Sequence, residues 1–311
     1  MNILITGGTG FVGSHMIDYI LNNEADVKIY ATKRWMEDTK NLDHINDERF
    51  EFIDCDLLDG MSVRRAVEIS KPNKVFHFAA QSFPEVSFKI PVITLQTNII
   101  GTTHLLESIK ESDYDPTIVS VSSSEVYGNP NKDEVPITET NPIRPANPYS
   151  ISKVGHDLMS QYYYKAFGLK IITTRMFSHE GARRGKQFAL SSFAHQIVEN
   201  EKLIKNDCEI RHGNLESVRT YNHIEDAIIA YWLCSESDRY GEVYNIGGDY
   251  TCTVGDALDM LISKSEISDA LNKVLDAKRV RPTDITLQIP SSDKFREHFD
   301  WKPKKDLTHI C

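Results

Sequence analysis

Tyr149 and Lys153 stand four residues apart just after Pro148, a spacing that puts a phenol and an ammonium on one face of a starting helix. A tyrosine hydroxyl titrates near ~10 and is a poor base at neutral pH. A neighbouring ammonium favours the phenolate, and so does a positively charged ring such as an oxidised nicotinamide. A phenolate held in this way takes a hydroxyl proton while hydride leaves the same carbon. Upstream, Val119-Ser120-Val121-Ser122-Ser123-Ser124-Glu125 reads as a strand ending in hydroxyls and then a carboxyl. One of those serines can hold the oxygen that Tyr149 deprotonates. Hydride transfer alone does not need Glu125. A carboxyl beside the substrate can act as acid and base for eliminating water, or it can be a turn residue only.

The start of the chain offers a seat for the redox partner. The apolar run Asn2–Thr6 leads into Gly7, Gly10 and Gly13, and a helical pattern follows at once. Gly7 permits a tight turn, Gly10 lets backbone approach a pyrophosphate, and Gly13 lets the helix pack closely, with the phosphates at its positive end. Dinucleotide folds that take NAD usually end the second strand with a carboxylate on the ribose. Here that strand ends Tyr30-Ala31-Thr32-Lys33-Arg34. Two cations and no acid favour NADP, with Lys33 and Arg34 toward its 2′-phosphate and NAD as the alternative. Glu37 and Asp38 just beyond weigh against a phosphate site. Asp56, after the third strand, reads equally as an adenine contact or as a turn cap.

These residues need a frame, and the pattern supplies one. Strand segments at Asn2–Thr6, Val27–Ala31, Phe50–Ile53, Lys74–Phe78, Ile118–Val121 and Leu169–Thr174 alternate with helical ones at Phe11–Leu21, Met61–Ser70, Pro91–Lys110 and Pro148–Phe167. Such alternation predicts an α/β fold, a Rossmann-type doubly wound parallel sheet with helices on both faces, whose ligands lie beyond the carboxyl ends of the strands. Later, Phe188–Asn200, Ile224–Leu233, Val254–Lys264 and Ser292–His298 look helical, and Val243–Ile246 is a strand able to rejoin the sheet. The expected division is a dinucleotide-binding domain of residues 1–176 plus about 218–249, and a smaller discontinuous C-terminal lobe of about 177–217 plus 250–311.

The net charge of −10 over 311 residues argues against nucleic acid or anionic membrane as partner. No apolar run is long enough to span a bilayer. Met1 leads straight into a core strand, with no room for a signal peptide. Five scattered cysteines (Cys55, Cys208, Cys234, Cys252, Cys311) lack metal-site spacing, which predicts reduced thiols in a cytoplasmic protein without a metal.

Taken together, the glycine turn, Ala79-Ala80-Gln81-Ser82, Leu95–Thr102, Ser122–Gly128 and Tyr149–Lys153 resemble the extended short-chain dehydrogenase/reductase family. His179–Gly185, Gly213–Arg219 and Arg281–Asp284 narrow the likeness to its GDP-mannose 4,6-dehydratases. The resemblance implies that Ser123 takes the place of a catalytic threonine. It makes Glu125 the acid and base of dehydration, Tyr149 the base of oxidation and Lys153 its electrostatic partner. It implies cofactor contacts from Thr9, Phe11 and Val12 in the turn, and from Leu57, Ala79 and Ala80. On the substrate side it implies Ser82, Glu85, Ser124, Ser178 and Arg184, with Arg219 and Arg281 on a diphosphate and Asp284 on a ribose. The chain departs from the family at Phe83–Glu85, Ser178, Thr220 and Met36, and it ends at Cys311 where relatives continue into a terminal helix, as a truncated chain would.

The expected activity is a GDP-sugar 4,6-dehydratase, acting on GDP-mannose or a relative such as a GDP-heptose and regenerating its nicotinamide cofactor. The alternatives are an epimerase or 4-dehydrogenase on the same scaffold, which needs no Glu125, and a non-enzymatic dinucleotide sensor, which needs neither Tyr149 nor Lys153. Pro91–Lys110 and Pro148–Phe167 carry apolar residues on more than one face and are expected to pair with a second subunit, in a dimer or tetramer.

Overall fold

A computed structural model describes residues 1–203 and 208–310; Cys311 lies outside the described residues. The elements in chain order are β1 (Asn2–Thr6), α1 (Phe11–Asn23), β2 (Lys28–Lys33), β3 (Phe50–Asp54), α2 (Gly60–Ser70), β4 (Lys74–His77), α3 (Pro84–Lys89), α4 (Pro91–Leu95), α5 (Gly101–Lys110), β5 (Thr117–Val121), α6 (Pro148–Phe167) and β6 (Ile171–Met176). Then come β7 (His179–Glu180), α7 (Ala189–Leu203), β8 (Cys208–His212), β9 (Val218–His223), α8 (Ile224–Ser235), β10 (Val243–Ile246), β11 (Tyr250–Thr253), α9 (Val254–Ser263), β12 (Leu271–Leu275), β13 (Leu287–Gln288), α10 (Asp293–Phe299) and α11 (Leu307–Ile310).

Seven parallel strands form the main sheet in the order β10-β6-β5-β4-β1-β2-β3. Strand order reverses between β1 and β4, so the glycine turn after β1 opens at the switch point, where such sheets bind ligands. The strands are buried on both faces because helices cover both. On one side α1 supplies Met16, Ile17 and Ile20 and α8 supplies Ile228 and Tyr231; on the other α2 and α5 supply Val63, Val67, Leu105 and Ile109. As expected, Val243–Ile246 rejoins the sheet, beside β6.

The later chain builds more sheet than its loose pattern announces. β9 pairs with β7, β11 and β13, and β8 pairs with β12. Several of these strands are only two to five residues long, too short to show a period. They share a separate core of Leu190, Phe193, Ile210, Tyr221, Leu258 and Leu261 with α7 and α9.

One expected element is divided. Pro91–Lys110 is not a single α-helix: a π-helical turn over Gln96–Ile100 separates α4 from α5. The turn carries the buried Asn98, whose side chain accepts from the Gln81 backbone N–H (2.8 Å) and donates to Ser152 Oγ (2.8 Å). A π turn adds a residue to the helical repeat and redirects the side chains after it.

Candidate active site

The glycine turn has the conformation its sequence calls for. Gly7 has φ +70°, and a Cβ there would lie 2.9 Å from Ala79 backbone. A Cβ on Gly13 would lie 2.3 Å from the Gly7 carbonyl oxygen, so only glycine lets α1 start this close to the turn. Gly10 occupies the N-cap of α1 and provides no side-chain cap. The first N–H groups of a 13-residue helix therefore point toward the cleft without a side-chain acceptor. Around them, Phe11 stacks on His179 at 5.7 Å, and the Arg184 guanidinium lies over the Phe11 ring at 4.9 Å. His179 Nε2 and Arg184 Nε are buried polar atoms with no hydrogen-bond partner. A glycine cradle and an uncapped helix start, with the Arg184 guanidinium over Phe11 beside them, fit a dinucleotide pyrophosphate. Thr9 and Val12 belong to the same cradle, and Ala79, whose N–H donates to Thr6 Oγ1 (3.2 Å), forms its far wall with Ala80. The Leu57 side chain is in the core, and its carbonyl accepts from His104 (2.8 Å).

The chemical groups gather at the end of β5 and the start of α6. Asn147 caps α6 by accepting from the Ser150 N–H (2.8 Å), and its side-chain NH2 donates to Glu125 Oε2 (3.0 Å). One residue thus fixes both the helix that bears Tyr149 and the carboxyl of Glu125. Ser123 caps the short 3-10 turn Ser124–Tyr127 by accepting from the Glu125 N–H (3.2 Å), and its hydroxyl meets that of Tyr149. Tyr127 anchors the far end of the turn. Its hydroxyl donates to Asn245 (2.7 Å) and accepts from Arg175 (2.8 Å), which is itself paired bidentately with buried Asp157 of α6.

Tyr149 is buried, and burial, then the nearby Glu125 carboxylate, push its hydroxyl above the usual range; Ser123 and Arg184 pull the other way. The Lys153 ammonium does not reach for the phenol. It donates to the Val121 carbonyl (2.6 Å), and burial pushes its pKa down to about 8. The structure therefore brings Ser123, Glu125 and Tyr149 together, with Lys153 one layer beneath.

Beneath that layer runs a buried polar chain. Thr6 Oγ1, His77, Thr102 Oγ1, His156, Ser120 Oγ and Ser160 Oγ are linked by contacts of 2.7 to 2.9 Å. Thr102 donates its one proton to the Asn98 carbonyl (2.7 Å), so it must accept from both rings. His77 is then protonated on Nε2 and His156 on Nδ1, and both are neutral. Burial, and secondarily the Lys153 charge, hold His77 down at about 3 and His156 well below the usual range. His156, Asn98 and Asn147 carry no sequence signal of catalysis; only the N-cap position of Asn147 before Pro148 hints at its place.

Facing Glu125 from the smaller lobe is a second group. Arg219 is half-buried, and its guanidinium donates to the carbonyls of Val218 (2.9 Å) and Ile285. Asp284, Glu125 and Arg281 all act on it electrostatically, and burial pulls its pKa down. Asp284 accepts from Asn214 (2.7 Å) and Ser217 (3.0 Å). Arg184 pairs with Glu180 at 3.6 Å, a buried carboxyl that burial pushes up against the pull of Arg184. Ser178 lies beside this pair, its carbonyl bonded to the Asn222 N–H, and Ser124 is buried in the turn.

Other expected contacts are differently engaged. Lys33 pairs with Asp54 (2.6 Å), and Arg34 pairs with Glu37 (3.2 Å). Asp56 accepts from the Leu58 N–H (2.9 Å), the turn-cap alternative, while also lining the cavity beside β2. Glu85 stands on the exposed side of α3 in an i,i+4 pair with Lys89 (2.8 Å), and Ser82 is half-buried before it. Among the described residues no group of three or more His, Cys, Asp or Glu gathers to hold a metal ion, and no helix is long and apolar enough to cross a membrane.

A family model described as GDP-mannose 4,6 dehydratase matches residues 4–311. The dTDP-D-glucose 4,6-dehydratase of Dictyostelium discoideum is 32% identical over 85% of this chain, which spans 62% of that protein's length; GDP-mannose 4,6 dehydratase 1 of Arabidopsis thaliana is 27% identical over 97% of this chain and 85% of its own. The crystal structure of dTDP-glucose 4,6-dehydratase from Bacillus anthracis, in complex with NAD, superposes with a TM-score of 0.84 at 28% identity, covering 100% of this chain and 94% of that one.

Proposed function

The chain belongs to the GDP-mannose 4,6 dehydratase family, within the extended short-chain dehydrogenases, and from that we propose that it dehydrates a GDP-linked sugar, GDP-mannose or a close relative such as a GDP-heptose. The class is that of a nucleotide-sugar 4,6-dehydratase working through a nicotinamide cofactor, and the product is a 4-keto-6-deoxy sugar nucleotide. The observation that carries the reading is Glu125, held by the Asn147 amide (3.0 Å) at the start of the helix that bears Tyr149 and close enough for its charge to raise the Tyr149 hydroxyl, which Ser123 meets.

Gly7, Thr9, Gly10, Phe11, Val12 and Gly13 hold the cofactor's pyrophosphate, with Ala79 and Ala80 opposite. When bound, the nicotinamide supplies an acceptor for hydride from carbon 4 and a donor back to carbon 6. Burial and the Glu125 charge hold Tyr149 protonated, and a positive charge brought beside the phenol would favour its loss of that proton. Ser123 then orients the 4-hydroxyl and Tyr149 takes its proton. Lys153 keeps a positive charge under the phenolate from its seat on the Val121 carbonyl. The ketone at carbon 4 acidifies the proton on carbon 5, which Glu125 removes. Protonated Glu125 gives that proton to the departing 6-hydroxyl, so water leaves and the carboxylate is restored. As carbon 6 takes back the hydride, carbon 5 takes a proton relayed from solvent through Glu125, and Tyr149 gives up to solvent the proton it took from the 4-hydroxyl, so the sequence sums to the loss of one water.

In this reading the smaller lobe, 177–217 plus 250–311, holds the nucleotide half together with Arg219 of the adjoining β9. Arg219 and Arg281 take the diphosphate, Asp284 takes a ribose hydroxyl, and Ser82, Ser124, Ser178 and Arg184 surround the sugar. Two cations near the adenosine ribose, Arg34 first, favour NADP as the cofactor. Val92, Ile93, Ile151, Leu158 and Tyr162 leave an exposed apolar face across α4 and α6, which supports a helix-to-helix dimer or tetramer.

Incubation with GDP-mannose and related GDP-sugars, read by mass spectrometry, is expected to show loss of one water. If every substrate turned over only gains or loses two hydrogens, the epimerase or 4-dehydrogenase reading takes its place.

A further inference from the structure

One face of α1 grips a single turn of the chain. Phe11, His15 and Asp18 follow one another at spacings of four and three residues, which stacks them along that face. Phe11 meets the rings and charge of His179 and Arg184. His15 Nε2 donates to the Ala182 carbonyl (2.9 Å). Asp18 pairs with Arg183 at 2.6 Å through one carboxylate oxygen and with His44 at 2.7 Å through the other. Ser191 of α7 holds the same turn by donating to the Arg184 carbonyl (2.7 Å).

The turn is strained where Asp18 grips it. The Arg184 N–H donates to the Gly181 carbonyl (3.3 Å), so residues 181–184 form a four-residue turn whose third member is Arg183. Arg183 has φ +67°, a left-handed backbone that favours glycine at that place in a turn. An arginine kept there against its backbone preference needs a reason in its side chain. That side chain is half-buried against Asp18, and the residue after it carries the cation of the cleft. Arg184 lays its guanidinium over the rings of Phe11 (4.9 Å) and Phe188 (3.6 Å). From there its charge also favours loss of the Tyr149 proton.

We propose that Asp18 and Arg183 are positioning residues, a strut that holds the turn against α1 and so fixes Arg184 on Phe11 and Phe188, between the dinucleotide cradle and the sugar. This rests on the nucleotide-sugar reading and adds to it the pair that sets where the cleft cation stands. The helix that begins at the glycine cradle thereby also places a side chain of the sugar site. Single contact suffices for such a strut, so charge matters more in it than the shape of the guanidinium.

The test compares the whole wild-type protein with Arg183→Gly, Asp18→Asn and Arg183→Lys. It reads melting temperature, amide hydrogen exchange across residues 181–188 without ligand, and kcat/KM for GDP-mannose and related GDP-sugars. Arg183→Gly relaxes the backbone and removes only the strut. It is expected to keep the melting temperature within about 3 °C of wild type, to speed exchange in the turn by about tenfold and to lower kcat/KM by about tenfold. Asp18→Asn cuts the pair from the other side and should move both readouts the same way. Arg183→Lys restores the charge and should recover most of both losses. Exchange that neither Arg183→Gly nor Asp18→Asn moves overturns the strut. Faster exchange with kcat/KM kept within about twofold overturns its part in placing Arg184. A wild type that dehydrates no GDP-sugar overturns the nucleotide-sugar reading instead, and exchange in the turn then decides the strut by itself.

Discussion

The two ends of the cofactor cleft are built on opposite principles. At the end of β5, Ser123, Tyr149, Lys153, His77 and His156 are all buried, and hydroxyls, imidazoles and carbonyls hold one another in a single protonation pattern. At the end of β2, Arg34, Trp35 and Met36 are exposed, and the charges are satisfied by near neighbours in sequence. The buried end cannot change one group without stranding another, because each unpaired buried donor costs free energy. The exposed end can exchange partners at little cost. Groups whose protonation depends on one another lie where packing enforces geometry, and the turn after β2 is held only by exposed local pairs.

Substitutions should therefore separate the two ends. The largest effect is expected from Tyr149→Phe, which removes the proton acceptor and leaves its shape: turnover should fall by about a thousandfold or more, measured by product formation, while the melting-temperature rise on adding dinucleotide is kept. A loss of only a few-fold would mean that the buried end is structural. Next, Thr102→Val leaves His77 Nε2–H and His156 Nδ1–H without their shared acceptor. It should lower unfolding free energy by about 2–5 kcal/mol, read from urea titration. A change within about 0.5 kcal/mol would show that the chain is not locked as described.

Acid should act on the buried end as well. His77 and His179 are held at about 3 in the folded protein, below the usual ~6.5 of the unfolded chain. Between those values the unfolded state binds more protons, so stability is lost as pH falls from about 6.5 toward 3, by up to about 1.4 kcal/mol per pH unit for each ring. The urea midpoint should drop between pH 7 and pH 5, and less steeply in His77→Gln. The smallest effect is expected from Glu85→Ala, at an exposed ion pair: stability should move by less than about 0.5 kcal/mol, and the Michaelis constant should barely change. A large rise in that constant would place Glu85 in the sugar site after all.

What could be read in the sequence follows the same division. The strands of the main sheet are continuous apolar runs, and the glycine turn and the Tyr149–Lys153 spacing are local, so periodicity and motif located them. Asn147, Asn98, Thr102 and His156 act across 17 to 54 residues of chain, on partners that only the folded topology brings near. The π turn in the helix after Pro91 left no mark, because Gln96–Ile100 holds no Gly or Pro to break the helical pattern. The short strands of the smaller lobe lack a period. Lys33 and Arg34 were legible as cations, but their pairing with Asp54 and Glu37 depends on side-chain geometry that spacing does not give.

The most direct measurement is a single turnover of Glu125→Gln with a GDP-sugar, followed at once by the absorbance of the reduced nicotinamide and by mass spectrometry of the sugar. Oxidation at carbon 4 without loss of water, seen as reduced cofactor that accumulates and persists, is the predicted result. Dehydration at the wild-type rate would contradict the assignment of the carboxyl, and with it the account of what this cavity is built to do.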